Sequence, residues 1–158
     1  MSYMLSQNVM KIVLEFQKTE ITEHVVYGKL AERSKGKNVK VLKTISNDEL
    51  RHYNEWKKYT QTEVSPDKVS ASKYLIFSVV FGVMFVMKIM ERGEEEAQEA
   101  YNQISGELPE AKELIQDETK HERSLIDMID EKRLDYIGSV VQGLNNAYPN
   151  STITKTWF

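Results

Sequence analysis

The chain contains no cysteine. That absence excludes disulfides, thiolate zinc sites, cysteine nucleophiles and iron–sulfur ligation. Proline is almost as scarce, with three in 158 residues, and glycine numbers seven. So few breakers favour long uninterrupted helices over many turns. Strand-like alternation of useful length is missing as well. There is no basic excess: the net charge is -3 and the pI about 5.7, so no nucleic-acid partner is expected. The N-terminal MSYMLSQNVMKIVLEF lacks the charged and apolar regions of a signal peptide. The one long uncharged run, Tyr74 to Met87, falls short of the ~20 residues a membrane span needs. It reads as a core or subunit-interface helix, with no membrane span. A mean hydropathy of -0.50 fits one globular unit, for which a cytoplasmic location is the default expectation.

Four helix-period segments are present. They run over about Ser6–Arg33, Val39–Tyr59, Lys73–Ile104 and Pro109–Arg133. Residues 60–72 read as a connection. Residues 134–147 suggest a short C-terminal helix, followed by a tail without pattern. Domain organisation is therefore a bundle over 1–133 with an appended 134–158 segment.

Each helix carries an apolar stripe with alternating steps of three and four, interrupted at two polar positions three residues apart. The interruptions are Glu20 and Glu23, Glu49 and His52, Glu91 and Glu94, and Glu118 and His121. One polar pair on an apolar seam is unremarkable; four pairs made only of carboxylates and imidazoles form a pattern. In antiparallel neighbours, residues equidistant from the turn sit at equal height. Glu20 and Glu49 are centred on the first turn, and Glu91 and Glu118 on the second break near Ser105. The two hairpins look like a duplicated unit related by a pseudo-twofold axis. That relation makes the second and third helices parallel, so residues 60–72 must span the bundle in extended form. A helix after Pro66 would strain that span.

Six carboxylates and two imidazoles in a low-dielectric interior need a counter-charge, because stripping an ion of water costs several kcal/mol. Two divalent cations supply it. Oxygen-rich ligation with one imidazole per metal and no sulfur suits iron, with manganese as the alternative. A Glu from each of two helices and Glu-x-x-His from each of the other two is the ligand set of dinuclear carboxylate bundles.

On these residues the chain resembles the ferritin-like superfamily, and within it the rubrerythrin-type di-iron domain. The resemblance rests on Glu20 with Tyr27, DELRHYNEW around Glu49 and His52, MERGEEE around Glu91 and Glu94, and DETKHERS around Glu118 and His121. It implies an all-α, up-down-down-up four-helix bundle with a long crossover and a short C-terminal helix. It also implies bridging roles for Glu49 and Glu118, and terminal ligation by His52, His121, Glu20 and Glu91. Glu94 becomes an additional carboxylate used on redox change, and Tyr27 a hydrogen-bond donor beside the bridging Glu. Glu23 is an extra carboxylate to which the rubrerythrin pattern assigns no role. The cysteine-ligated relay domain of rubrerythrins is not in this sequence. The chain more closely resembles the soluble ferritin-like domain attached to some vacuolar-iron-transporter-like proteins, with residues 136–147 similar to the start of their membrane part.

The implied function is a di-iron oxidoreductase of the peroxidase or ferroxidase type. It would act on hydrogen peroxide or dioxygen with an electron donor that the sequence does not name. The alternative is a non-catalytic iron-binding module for buffering, sensing or delivery. A third helix apolar all round, through Phe77, Val79, Val80, Phe81, Val83 and Phe85, predicts a homodimer interface.

Overall fold

The computed structural model describes residues 6–104, 106, 108 and 111–128; within 93–103 it describes the side chain of Tyr101 alone. All regular structure among the described residues is helical: α1 (Gln7–Arg33), α2 (Lys37–Thr60), α3 (Lys68–Val80), α4 (Val83–Ile104) and α5 (Ala111–Ile126). The expected C-terminal helix and tail lie outside the described residues. No helix among those described is long and apolar enough to cross a membrane.

Local chemistry sets the helix ends. Ser6 caps α1 by accepting a hydrogen bond from the Val9 amide at 3.3 Å. Gly36, at φ 60°, makes the turn into α2. Gln61 ends α2 in the left-handed region, at φ 52°. Asp67 caps α3, accepting from the Val69 and Ser70 amides at 2.9 and 3.1 Å.

The expected third helix is in fact two. The uncharged run breaks at Phe81-Gly82, where Gly82 has φ 90°, a conformation costly for any residue with a Cβ. The crossover therefore spans 61–82 rather than 60–72, and most of it is α3. This corrects the expectation that a helix after Pro66 would strain the span: with the break at Gly82, the chain has length to spare.

Contacts fix the topology. Gln17, fully buried on α1, donates from its amide to the Thr62 carbonyl (2.8 Å) and accepts from the Thr60 hydroxyl (2.6 Å). The Asp67 amide donates to Thr22 Oγ1 at 2.8 Å, so α3 begins at the middle of α1. Arg33, at the end of α1, donates to the Leu75 carbonyl and to Ser78 Oγ near the end of α3. Thus α3 runs alongside α1 in the same direction. Next, α4 starts at the α1–α2 turn and finishes with Tyr101 packed on Phe16 and Trp56. It is antiparallel to α1 and parallel to α2, as the pseudo-twofold relation requires.

Two apolar layers result. One, toward the α1–α2 turn, contains Val26, Tyr27, Leu30, Leu42, Ile45, Met87, Met90 and Leu125. The other, toward the far end, contains Val9, Val13, Trp56, Tyr101, Ile104, Leu108 and Leu114. Between them lies a layer of buried polar residues.

Candidate metal centre

Four residues of that middle layer converge. Ligand atoms of Glu20 (α1), Glu49 and His52 (α2) and Glu118 (α5) all lie within 4.8 Å of one another. All four side chains are essentially inaccessible to solvent. His121 joins them: its Nδ1 lies 2.9 Å from Glu49 Oε1 and 3.6 Å from Glu118 Oε2. His52 Nδ1 lies 3.1 Å from Glu118 Oε1, 3.3 Å from Glu49 Oε2 and 3.5 Å from Glu20 Oε2. The equal heights read from the spacing are therefore realised for the ligands of α1, α2 and α5.

Both imidazoles turn Nδ1 inward and Nε2 outward, and each Nε2 meets an aspartate from the other helix. His121 Nε2 lies 3.3 Å from Asp48 Oδ2, and His52 Nε2 lies 3.6 Å from Asp117 Oδ2. Asp48 precedes Glu49, and Asp117 precedes Glu118. The repeated unit is thus Asp-Glu-x-x-His, with each aspartate serving the other unit's histidine. At His121 this hydrogen bond fixes the tautomer that leaves Nδ1 free to ligate and makes that nitrogen more basic; at His52 the aspartate is beyond hydrogen-bond length and Arg51 Nη2 lies closer, 3.3 Å from the same Nε2. Arg51 holds Asp117 from outside, and Lys120 pairs with it at 2.7 Å. These bonds keep the Asp117 carboxyl ionised down to about pH 2, against its burial. Asp48 and Asp117 escaped sequence reasoning, although the doubled Asp-Glu was in view.

Glu20 has a divided role. Its Oε1 accepts hydrogen bonds from Trp56 Nε1 at 3.1 Å and from the Tyr101 hydroxyl. Its Oε2 faces the cluster. Trp56 and Tyr101 both hold this carboxylate while packing in the far apolar layer.

The electrostatics show what the layer lacks. Burial pushes the Glu20 carboxyl up to about 8, with Glu49 and Glu118 adding repulsion. Burial likewise raises Glu23 well above the usual range, and Glu49, Glu20 and Glu118 add to the rise. Burial would also raise Glu49, but the two imidazoles facing it pull it below its ordinary value. His121 rises to about 10 and His52 far above its usual range: burial opposes the change, and the carboxylates facing them overcome it. Among the described residues, the imidazoles are the positive groups that face these carboxylates. Glu20 Oε2, both oxygens of Glu49 and Nδ1 of both histidines are buried without a well-formed hydrogen bond. Buried polar atoms are rarely left so. A hard or borderline cation satisfies oxygens and neutral imidazole nitrogens together, so the donor set fits a metal ion.

The other expected site residues fall as follows. Glu23 is half-buried and lines a cleft between α1 and α3, with Thr22, Asp67 and Tyr74. Tyr27 is fully buried two turns after Glu20, among apolar neighbours of the turn-side layer. Glu91 and Glu94 belong to α4, but their side chains lie outside the described residues. His24 joins α1 to α2 through Ser46, with Nδ1 2.7 Å from the Ser46 carbonyl.

The chain matches no protein-family model, no curated protein and no solved structure.

Proposed function

We propose that the protein is a dinuclear carboxylate metalloprotein of the rubrerythrin-like kind, binding two iron ions and reducing peroxide or dioxygen. The convergence of Glu20, Glu49, His52 and Glu118 within 4.8 Å, sealed between two apolar layers, carries the reading. In it, Glu49 and Glu118 would hold both ions, His52 and His121 would offer Nδ1, and Glu20 and Glu91 would complete the ligand set. Glu94 and Glu23 are reserve carboxylates, and manganese is the competing metal. When bound, the metal pair supplies the electrons for reducing the oxidant. The chain's own residues do the rest. Asp48 orients the His121 imidazole, and Asp117, held by Arg51 and Lys120, places a negative charge beside His52. Tyr101 and Trp56 hold Glu20 in place, and Tyr101, a phenol kept protonated by its burial and by Glu20, sits beside the centre. The apolar layers exclude water, which strengthens every charge interaction inside. Tyr27 is the second phenol assigned to this proton-holding role.

The test is anaerobic reconstitution with ferrous iron, metal counting, and rapid mixing with peroxide or dioxygen. Two irons per chain that oxidise rapidly and can be re-reduced over many cycles are expected. Stoichiometric uptake without turnover would assign the site to buffering or delivery. Failure to take up metal would end the reading.

A further inference from the structure

The buried cluster is closed at its two ends by apolar layers, with Met87 and Leu125 in one and Val13 and Trp56 in the other. A cation must therefore pass between helices, because a charge crossing an apolar layer loses its water and gains no ligand in return. Between α2 and α5 lies a cleft of about 330 Å³. It is lined by Val41, Thr44 and Asp48 from α2 and by Asp117, His121 and Ser124 from α5. His121 belongs both to this cleft and to the cluster, where its Nδ1 lies 2.9 Å from Glu49 Oε1. The cleft between α1 and α3 reaches Glu23, but none of Glu20, Glu49, His52, Glu118 and His121 lines it.

The two imidazoles are held unequally. The His52 side chain has no solvent exposure, and three carboxylates stand within 3.5 Å of its Nδ1. Outside it stands Arg51, which Asp117 holds in place. The His121 side chain keeps 5% exposure and has two carboxylates near Nδ1, at 2.9 and 3.6 Å. Its outer Nε2 is held by Asp48 at 3.3 Å, and Asp48 is itself half-buried at the cleft. Turning this ring into the cleft exchanges that hydrogen bond for one with water, a small net cost.

We infer that the α2–α5 cleft is the path by which a divalent cation enters and leaves the centre, and that His121 is the side chain that swings aside to open it. The inference rests on the reading of the cluster as a metal centre and adds the route to it. Asp48 and Asp117 stand at the rim, and each is the chain neighbour of a cluster carboxylate. A cation shedding water there meets oxygen donors before it reaches Glu49 or Glu118. Lys40 and Lys120 line the same mouth, and Lys120 pairs with Asp117 at 2.7 Å. The lysines offset the aspartates, so continuity with the ligands selects this route, not attraction at its entrance.

The test loads the full chain with cobalt(II), follows uptake by its visible absorption, and follows release to excess EDTA. Thr44→Phe and Ser124→Phe fill the cleft from opposite helices, and neither residue belongs to the cluster. Each should slow uptake and release roughly tenfold, with metal count and helical circular dichroism unchanged. Thr19→Phe, which fills the α1–α3 cleft instead, should leave both rates as they are. His121→Ala should speed uptake, which the loss of a ligand alone does not do. Unchanged rates in both cleft-filling variants overturn the inference. So does slowing by Thr19→Phe, which assigns the route to the Glu23 side, or uptake by His121→Ala that is no faster. A chain that takes up no cobalt at all ends the metal reading itself, an outcome distinct from full loading at unchanged rates.

Discussion

Glu20 shows how one residue is fitted both for folding and for ligation. Its Oε1 is satisfied by Trp56 and Tyr101, leaving Oε2 facing the histidine. Both donors bond the same oxygen, so removing one leaves the other and costs that one buried bond, about 1–3 kcal/mol. Tyr101→Phe and Trp56→Phe are therefore expected to lower the denaturant midpoint of the metal-free chain by that amount, read by circular dichroism. The aspartates behave differently. Asp48 and Asp117 are half-buried at the rim of the cluster and pair with the exposed Arg51 and Lys120, and ion pairs of that kind contribute about 1 kcal/mol or less. Asp48→Ala and Asp117→Ala should leave the fold nearly unchanged but weaken metal affinity roughly 10–100-fold, measured by competition with a chelator. Equal affinity in these variants would mean that the imidazoles are oriented by something else.

At the scale of the element, the division between α3 and α4 is the decisive local event. A Cβ at Gly82 would meet no atom within 4 Å, so its cost is conformational alone. Gly82→Ala should destabilise by roughly 1–2 kcal/mol, the penalty of the left-handed region for an L side chain. The start of α3 depends on Asp67, whose carboxylate accepts from two amides and whose own amide bonds Thr22. Asp67→Ala should cost about 1 kcal/mol. Thermal denaturation checks both. If Gly82→Ala is neutral, the break is not held in the positive-φ region.

The whole molecule encloses mutually repelling groups, and its stability must follow their titration. Glu20 rises from 4.5 to about 8 through burial. His121 rises from 6.5 to about 10, where its carboxylate partners outweigh burial. Both groups hold their protons more tightly folded than unfolded. Their stabilising contribution is complete below the unfolded values and is lost as pH climbs through the folded ones. Glu49, held below 4.5, acts in the opposite sense, but only in acid. The metal-free chain should therefore lose thermal stability steadily as pH rises from 6.5 to about 10. Bound metal replaces those protons, so the rise in Tm on adding ferrous iron under anaerobic conditions should grow over the same interval. A flat Tm across it would show that the carboxylates have another counter-charge.

Spacing by itself determined the helical class, the antiparallel pairing of the first two helices, and the common height of Glu20, Glu49, His52 and Glu118. Those properties depend on rise per residue and distance from a turn, and both are countable along a chain. The break at Gly82 was also visible, as a glycine inside an apolar run, but the unbroken periodicity on either side concealed it. Only the tertiary structure decided that α3 folds back along α1 and leaves one apolar face outward. It alone paired Asp48 with His121 and Asp117 with His52, and set Trp56 and Tyr101 on Glu20. Such contacts depend on how each helix is rotated about its axis against its neighbours, a rotation set by the packing of whole layers and not by any local run of residues.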